Sequence, residues 1–310
     1  MAEFRLNEIT NEQILIVESR LKRPKDYKDK EVVEKVSFKE NCPFCVGNEE
    51  QTPPEVYRDG DPWDVRVVEN KFPILGREGA ITGYHYVVIE TADHSKNLHE
   101  MSEDEIYKVV KSFIKVSEEL YKKQDIKYVQ IFKNYKKEAG ASLEHPHSQI
   151  IAIKKMPEKI IKQKKKTREY FYQNGRCFIC DIIKNEIQNK ERIVYIDEQY
   201  IIYCPFASIF PYEMAIAPLI HKSSILNMND EEIRKLGSII LNALNRLQRN
   251  VGDVAYNLFF DFIRDENEYY HFQIRICPRI SINAGFEIAT GLHTNVISPE
   301  TASLILKVDK

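Results

Sequence analysis

His145-Pro146-His147-Ser148-Gln149 runs directly into Ile150-Ile151-Ala152-Ile153. A run ending in β-branched residues reads as a strand, and a strand sends alternate side chains to the same face. His145, His147 and Gln149 then share one surface, neighbours in the row about 7 Å apart at a rise of roughly 3.3 Å per residue. One imidazole of such a row can attack phosphorus while the groups beside it steady the phosphoryl oxygens. Taken alone, the motif is also compatible with a strand edge carrying two ordinary polar histidines.

Further out, the histidines belong to a repeated pattern. Cys42-Pro43-Phe44-Cys45 is followed by His94, 49 residues after Cys45, and by His145, 51 residues later. Cys177-Phe178-Ile179-Cys180 is followed by His221, 41 residues after Cys180, and by His271, 50 residues later. Beyond each middle histidine stands a capping-box signature, Ser102 with Glu105 and Asn229 with Glu232. Helical apolar spacing follows, at Ile106, Val109, Val110, Phe113 and Leu120, and again at Ile233, Leu236, Ile240, Leu244 and Leu247. Alternating stretches, 128–134 and 255–262, come next, and each leads to the strand of the last histidine. The expected fold is α+β: an antiparallel sheet with a helix packed on it, occurring twice in tandem as 1–155 and 156–310.

This spacing groups Cys42, Cys45, His94 and His145 as one tetrahedral metal site, and Cys177, Cys180, His221 and His271 as a second. Four protein ligands leave no open coordination position, so both are expected to be structural. Two thiolates and two imidazoles suit zinc, and iron also accepts that donor set. The alternative is that some of these histidines only cap helices. Cys204 and Cys277 have no partner at ligand spacing and read as core residues. Superimposing the halves on His145 and His271 sets His147 against Gln273 and Gln149 against Arg275, so only the first half has an imidazole at the nucleophile position.

Composition bounds the class of partner. The chain has 310 residues, with 45 Lys plus Arg, 47 Asp plus Glu and a formal charge of -2. Neither nucleic acid nor a membrane surface is expected as a partner. Met1–Thr10 contains no leader-like apolar stretch and no run of 18 apolar residues occurs, so a cytoplasmic location is expected. The lysine-rich run from Lys154 to Arg168 reads as a solvated linker helix. His85, His99 and His293 have no assignable role from sequence.

These residues resemble the galactose-1-phosphate uridylyltransferase family, the transferase branch of the histidine-triad (HIT) superfamily. The resemblance rests on Arg20-Leu-Lys-Arg-Pro24, Cys42-Pro-Phe-Cys45, Val68-Glu-Asn-Lys-Phe-Pro73, Asp93-His94-Ser95, Gly140-Ala-Ser142 and His145-Pro-His-Ser-Gln149. It implies two zinc-stapled HIT-like halves in one pseudo-symmetric subunit, in a homodimer. His147 would be the nucleophile, and Gln149 stands where hydrolytic relatives carry a third histidine. The Gly140-Ala141-Ser142 turn offers backbone N–H groups and a hydroxyl to phosphates. By resemblance Arg20 and Arg23 reach substrate phosphates, Asn70 and Asn134 contact ribose or phosphate, and Gly285, Phe286 and Glu287 recognise the sugar. The implied reaction moves UMP between a UDP-hexose and a hexose 1-phosphate through a nucleotidyl-histidine. The second Cys-x-x-Cys with His221 and His271, and the segment Gly285-Phe-Glu-Ile-Ala-Thr-Gly291, are closer to ADP-glucose phosphorylase, an adenylyltransferase with phosphate as acceptor. A zinc-stapled nucleotide-binding protein, or a hydrolase, is the reading from another class.

Overall fold

Strand periodicity and capped amphipathic helices together build one continuous sheet. The computed structural model describes residues 2–22, 35–76, 78–79 and 81–308. A small sheet joins the chain ends: β1 (Glu3–Leu6) and β2 (Gln13–Ile16) are antiparallel, and β13 (Leu292–Asn295) runs parallel to β2. The main sheet holds β3 (Glu55–Asp59), β4 (Val65–Glu69), β5 (Gly83–Ile89), β6 (Tyr128–Tyr135) and β7 (His147–Ile153). It continues with β8 (Ile193–Ile196), β9 (Tyr200–Tyr203), β10 (Met214–Pro218), β11 (Tyr256–Asp261) and β12 (Gln273–Pro278).

Their spatial order is β3-β4-β5-β7-β6-β11-β12-β10-β9-β8. Read inward from each edge, the two halves have the same plan, in which the last two strands exchange places. They meet where β6 pairs with β11, in a register that sets Asn134 opposite Asn257. The expected α+β repeat is therefore present, and its two copies are fused through ten antiparallel strands.

Helices α1 (Glu103–Lys122) and α4 (Asp230–Asn250) cover one face. Both begin at the expected capping boxes. Ser102 accepts from the Glu105 amide and Asn229 from the Glu232 amide, while each glutamate returns a bond to its cap. Ile106, Val109, Val110, Phe113 and Leu120 are buried, as are Ile233, Leu236, Ile240, Leu244 and Leu247. They join Ile131, Ile150, Ile216, Phe260 and Ile274 of the sheet in a core spanning both halves. The opposite face carries Val87, Ile89, His147 and Gln149. There the Cys42–Cys45 loop, Trp63 and Phe44 cover the first half, and α3 (Phe178–Asn189) covers the second.

Two boundaries differ from the sequence reading. β7 starts at His147, because Pro146 has no N–H for the ladder and His145 lies in the preceding loop. The lysine-rich run extends into α2 (Glu158–Asn174), which ends at Gly175 in the left-handed conformation. Two short helices complete the fold, α5 (Gly285–Thr290) and α6 (Pro299–Leu306). Among the described residues, no helix is long and apolar enough to cross a membrane.

The two covering helices touch closely at Gly237. A Cβ there would lie 3.3 Å from Ile106 Cγ2 and 3.4 Å from the Tyr107 nitrogen. Gly237→Leu is expected to part α1 from α4 and destabilise the fold by about 1–3 kcal/mol, measured as a fall in urea midpoint.

Candidate active site and metal centres

Four metal-ligating atoms converge in each half, all within 4.8 Å of one another. In the first half Cys45 Sγ lies 3.3 Å from His94 Nδ1 and 3.7 Å from His145 Nδ1, and Cys42 Sγ lies 3.6 Å from His145 Nδ1. In the second, Cys180 Sγ lies 3.3 Å from His221 Nδ1 and 3.4 Å from His271 Nδ1. Zinc–nitrogen and zinc–sulfur bonds of about 2.0 and 2.3 Å in a tetrahedron give an N–S edge of about 3.5 Å. The separations fit such edges.

The outer ring nitrogens settle the tautomers. His145 Nε2 donates to the Thr91 carbonyl at 2.8 Å, His221 to Asn267 at 2.7 Å and His271 to Pro218 at 3.0 Å. A proton held on Nε2 leaves the Nδ1 lone pair pointing at the thiols, the arrangement a metal requires. Burial pushes His145 down to about 4, so its ring stays neutral, and burial pushes the Cys42 thiol up. A divalent cation among these donors would bring the thiols to thiolates. All six cysteines are free, and Cys204 and Cys277 are buried, as expected of core residues.

His147 follows from this frame. Its Nδ1–H donates to the carbonyl of His145 at 2.8 Å, which leaves the Nε2 lone pair as the nucleophilic end of the ring. Burial, then the nearby Lys133 ammonium, lowers its pKa and favours the neutral ring. Phe44 packs edge-on to His145 and to His147, with centroids 5.9 and 5.7 Å apart. His147 and Gln149 share a face of β7, opposite Ile89 and Val87 of β5.

Beneath that strand lies a buried charge pair absent from the sequence reading. Lys133 Nζ is 2.6 Å from Glu90 Oε2 and also donates to the His147 carbonyl at 3.2 Å. Ser148 Oγ donates to the other Glu90 oxygen at 2.5 Å. Glu90 and Lys133 are each 1% exposed, so neither charge has solvent as an alternative partner. The pair grips the backbone of His147 itself.

The other expected residues fall into three groups. Asn70 lies beside Gln149 through His85: its Nδ2 is 3.2 Å from His85 Nε2, which lies 2.8 Å from Gln149 Oε1. Asn134 Oδ1 accepts from Asn257 Nδ2 at 2.9 Å, and the same Asn257 amide holds the Ala139 carbonyl at 2.8 Å. The second half thus braces the loop ahead of His147, a contact that no local pattern announces. The Gly140-Ala141-Ser142 expectation needs correction. The Gly140 N–H closes on Lys137 and the Ala141 N–H on Lys136, at 2.9 and 3.1 Å, so both are committed within the turn and only Ser142 is left to offer donors. Gly140 itself sits at φ 92°, where a side chain would strain the turn.

Arg20, just after β2, and the sugar segment, in α5 just before β13, lie next in sequence to the small sheet. Glu287 at the start of α5 accepts from the Ala284 N–H at 2.9 Å and from the Thr294 hydroxyl at 2.5 Å, and the Thr294 bond above all, with Arg20 adding to it, lowers its pKa. No contact within this single chain carries Gly285, Phe286 or Glu287 to His147 among the described residues. Arg23 lies outside the described residues.

Comparison with known proteins matches this arrangement over its whole length. Residues 74–307 match a family described as a domain of unknown function, DUF4921. The chain is 30% identical to ADP-glucose phosphorylase of Arabidopsis thaliana over 98% of this chain and 92% of that protein. It is 28% identical to galactose-1-phosphate uridylyltransferase of Thermotoga maritima, over 99% and 98% of the two chains. The crystal structure of an Arabidopsis thaliana ADP-glucose phosphorylase with bound ADP-glucose superimposes with a TM-score of 0.87, at 29% identity, covering 100% of both chains.

Two outcomes test the site. Elemental analysis of the purified chain is expected to find about two zinc ions, and about one after Cys45→Ser or Cys180→Ser. Lys133→Met, which strands Glu90 in the core, is expected to lower stability by about 3–5 kcal/mol in chemical denaturation, while Lys133→Met with Glu90→Leu recovers part of the loss.

Proposed function

Because the chain belongs to the family of ADP-glucose phosphorylase and galactose-1-phosphate uridylyltransferase, which are nucleotidyltransferases, we propose that it transfers a nucleotide from a nucleotide sugar through a covalent bond to His147. The observation that carries this reading is the single hydrogen bond from His147 Nδ1 to the His145 carbonyl, which turns Nε2 outward as a free lone pair.

The reaction balances without an added acid. Nε2 attacks the α-phosphorus, a P–N bond forms, the bond from that phosphorus to the bridging oxygen breaks, and hexose 1-phosphate leaves as an anion. The ring becomes positively charged, and its Nδ1–H remains donated to the His145 carbonyl, which stabilises that charge. An incoming phosphate oxygen then attacks the same phosphorus and returns the electron pair to Nε2. Gln149 donates to a non-bridging oxygen, Ser142 and Asn134 hold phosphate or ribose, and Asn70 contributes at the edge nearest His85. The two Cys2His2 groups hold zinc, with iron an alternative in one, and serve as staples rather than as reaction centres.

We take ADP-glucose as the preferred donor and inorganic phosphate as the acceptor, ahead of UDP-hexose and a hexose 1-phosphate. Supporting this are the likeness to ADP-glucose phosphorylase and the second Cys2His2 set. The protein would act as a cytoplasmic homodimer, the half 1–155 supplying the nucleophile and the half 156–310 the sugar segment. Phe286 and Ile288 of α5, 51% and 76% exposed, give that segment an apolar surface suited to a partner subunit.

The test is covalent capture. Zinc-loaded protein incubated with ADP-glucose labelled at the α-phosphorus should acquire acid-labile, alkali-stable label, and UDP-glucose should label it more slowly. His147→Ala should abolish labelling. No label from either donor would remove the transferase reading, and equal or faster labelling by UDP-glucose would reverse the donor order.

A further inference from the structure

An amide side chain presents a donor at one end and an acceptor at the other, and its own shape does not say which end faces a ligand. For Gln149 the neighbouring strand decides. His85 on β5 is 5% exposed and makes two contacts that fix its tautomer. The Ile74 N–H points at His85 Nδ1 over 3.1 Å, so Nδ1 is an acceptor and carries no proton. The proton of the neutral ring is therefore on Nε2, and burial disfavours the charged form.

Two groups lie near that proton. Asn70 Nδ2 is 3.2 Å away but is itself a donor, because Asn70 Oδ1 accepts from the Phe72 N–H at 2.8 Å. Gln149 Oε1 is 2.8 Å away and can accept. The oxygen end of Gln149 is thereby occupied by His85. Its NH2 end has no hydrogen-bond partner among the described residues, and Gln149 stands on the same strand face as His147.

We infer that His85 is a positioning residue. Through the chain Ile74 N–H to His85 to Gln149, it holds the glutamine amide with its oxygen inward and its NH2 group toward the phosphoryl oxygens of the donor. This rests on the nucleotidyl-transfer reading for its consequence in turnover, but the hydrogen bond itself does not depend on that reading. A hydroxyl or a carboxylate at position 85 would not serve. The position needs an acceptor for Ile74 and a donor for Gln149 at opposite edges of one planar group.

Two measurements on the full-length, zinc-loaded protein test it. In nitrogen-15 imidazole spectra near neutral pH, His85 should show a protonated Nε2 and an unprotonated Nδ1. The opposite tautomer, or a charged ring, would overturn the inference whether or not the protein takes label. For turnover, His85→Phe should slow formation of the labelled His147 species by ~10- to 100-fold, the scale of weakening one donor to a developing charge, with little change in donor KM. His85→Gln, which keeps a donor near the Nε2 position, should recover most of that rate. In a Gln149→Ala background the His85→Phe change should cost nothing further. Losses that multiply, or a His85→Phe protein labelled at the wild-type rate, would overturn it. A wild-type chain that takes no label but shows the Nε2–H tautomer would sink nucleotidyl transfer while leaving the His85–Gln149 bond standing.

Discussion

The hydrogen bond from His147 Nδ1 to the His145 carbonyl is the constraint on which the proposed chemistry depends. It joins two adjacent demands on one short segment. His145 must turn its own Nδ1 toward Cys42 and Cys45 while its Nε2 is held by Thr91. Pro146 then limits the backbone between the rings, and His147 enters the ladder with its tautomer already chosen. Loss of the ligand cluster would free the His145 carbonyl to move, and the orientation of the nucleophile would move with it. The staple therefore acts on reactivity through backbone geometry, with no need for a ligand position of its own in the reaction.

The second half shows what the same scaffold becomes without that demand. Gln273, at the place of His147, donates to the Tyr203 hydroxyl at 2.6 Å, and Arg275, at the place of Gln149, is paired with Glu213. Both polar side chains are spent internally. A cavity of about 690 Å³ lies over this half and not over His147. Glu12, Asp181, Glu186, Glu213 and Asp261 among its lining outnumber Lys159, Arg192 and Arg275, which opposes binding of a phosphate there. Volume alone would point to the other end of the sheet. Tautomer and donor arrangement favour the first half for the proposed chemistry.

Much of this was legible in the linear sequence because each signal is local or periodic. Eight candidate metal ligands repeat at similar spacing, two capping boxes announce the helices, and β-branching marks β7. The period of two placed His147 and Gln149 on one face. It could not say that the ladder stops at His147, with Pro146 separating it from His145, since the hydrophobic pattern downstream is the same either way. The amides of Gly140 and Ala141 were misjudged because composition shows a turn but not which of its N–H groups the turn itself consumes. His85, Glu90, Lys133 and Asn257 act across 64, 43, 14 and 118 residues respectively. Contacts of that range are set by sheet order, which no short window contains.

Sheet order also explains why an ion pair is tolerated in the core. Glu90 follows β5 and Lys133 sits on β6, on either side of β7, so their meeting point is fixed directly under Ser148 and the His147 carbonyl. An apolar pair of similar volume would pack there without the desolvation penalty of two buried charges. It would also leave the His147 carbonyl without the ammonium donor and Ser148 without its carboxylate. In a strand whose first residue must present one nitrogen in one direction, slippage by even part of a residue would misdirect the attack. A directional charge pair resists such slippage, whereas apolar contact, having no preferred angle, does not. The charge pair thereby helps fix the register of the strand that carries His147.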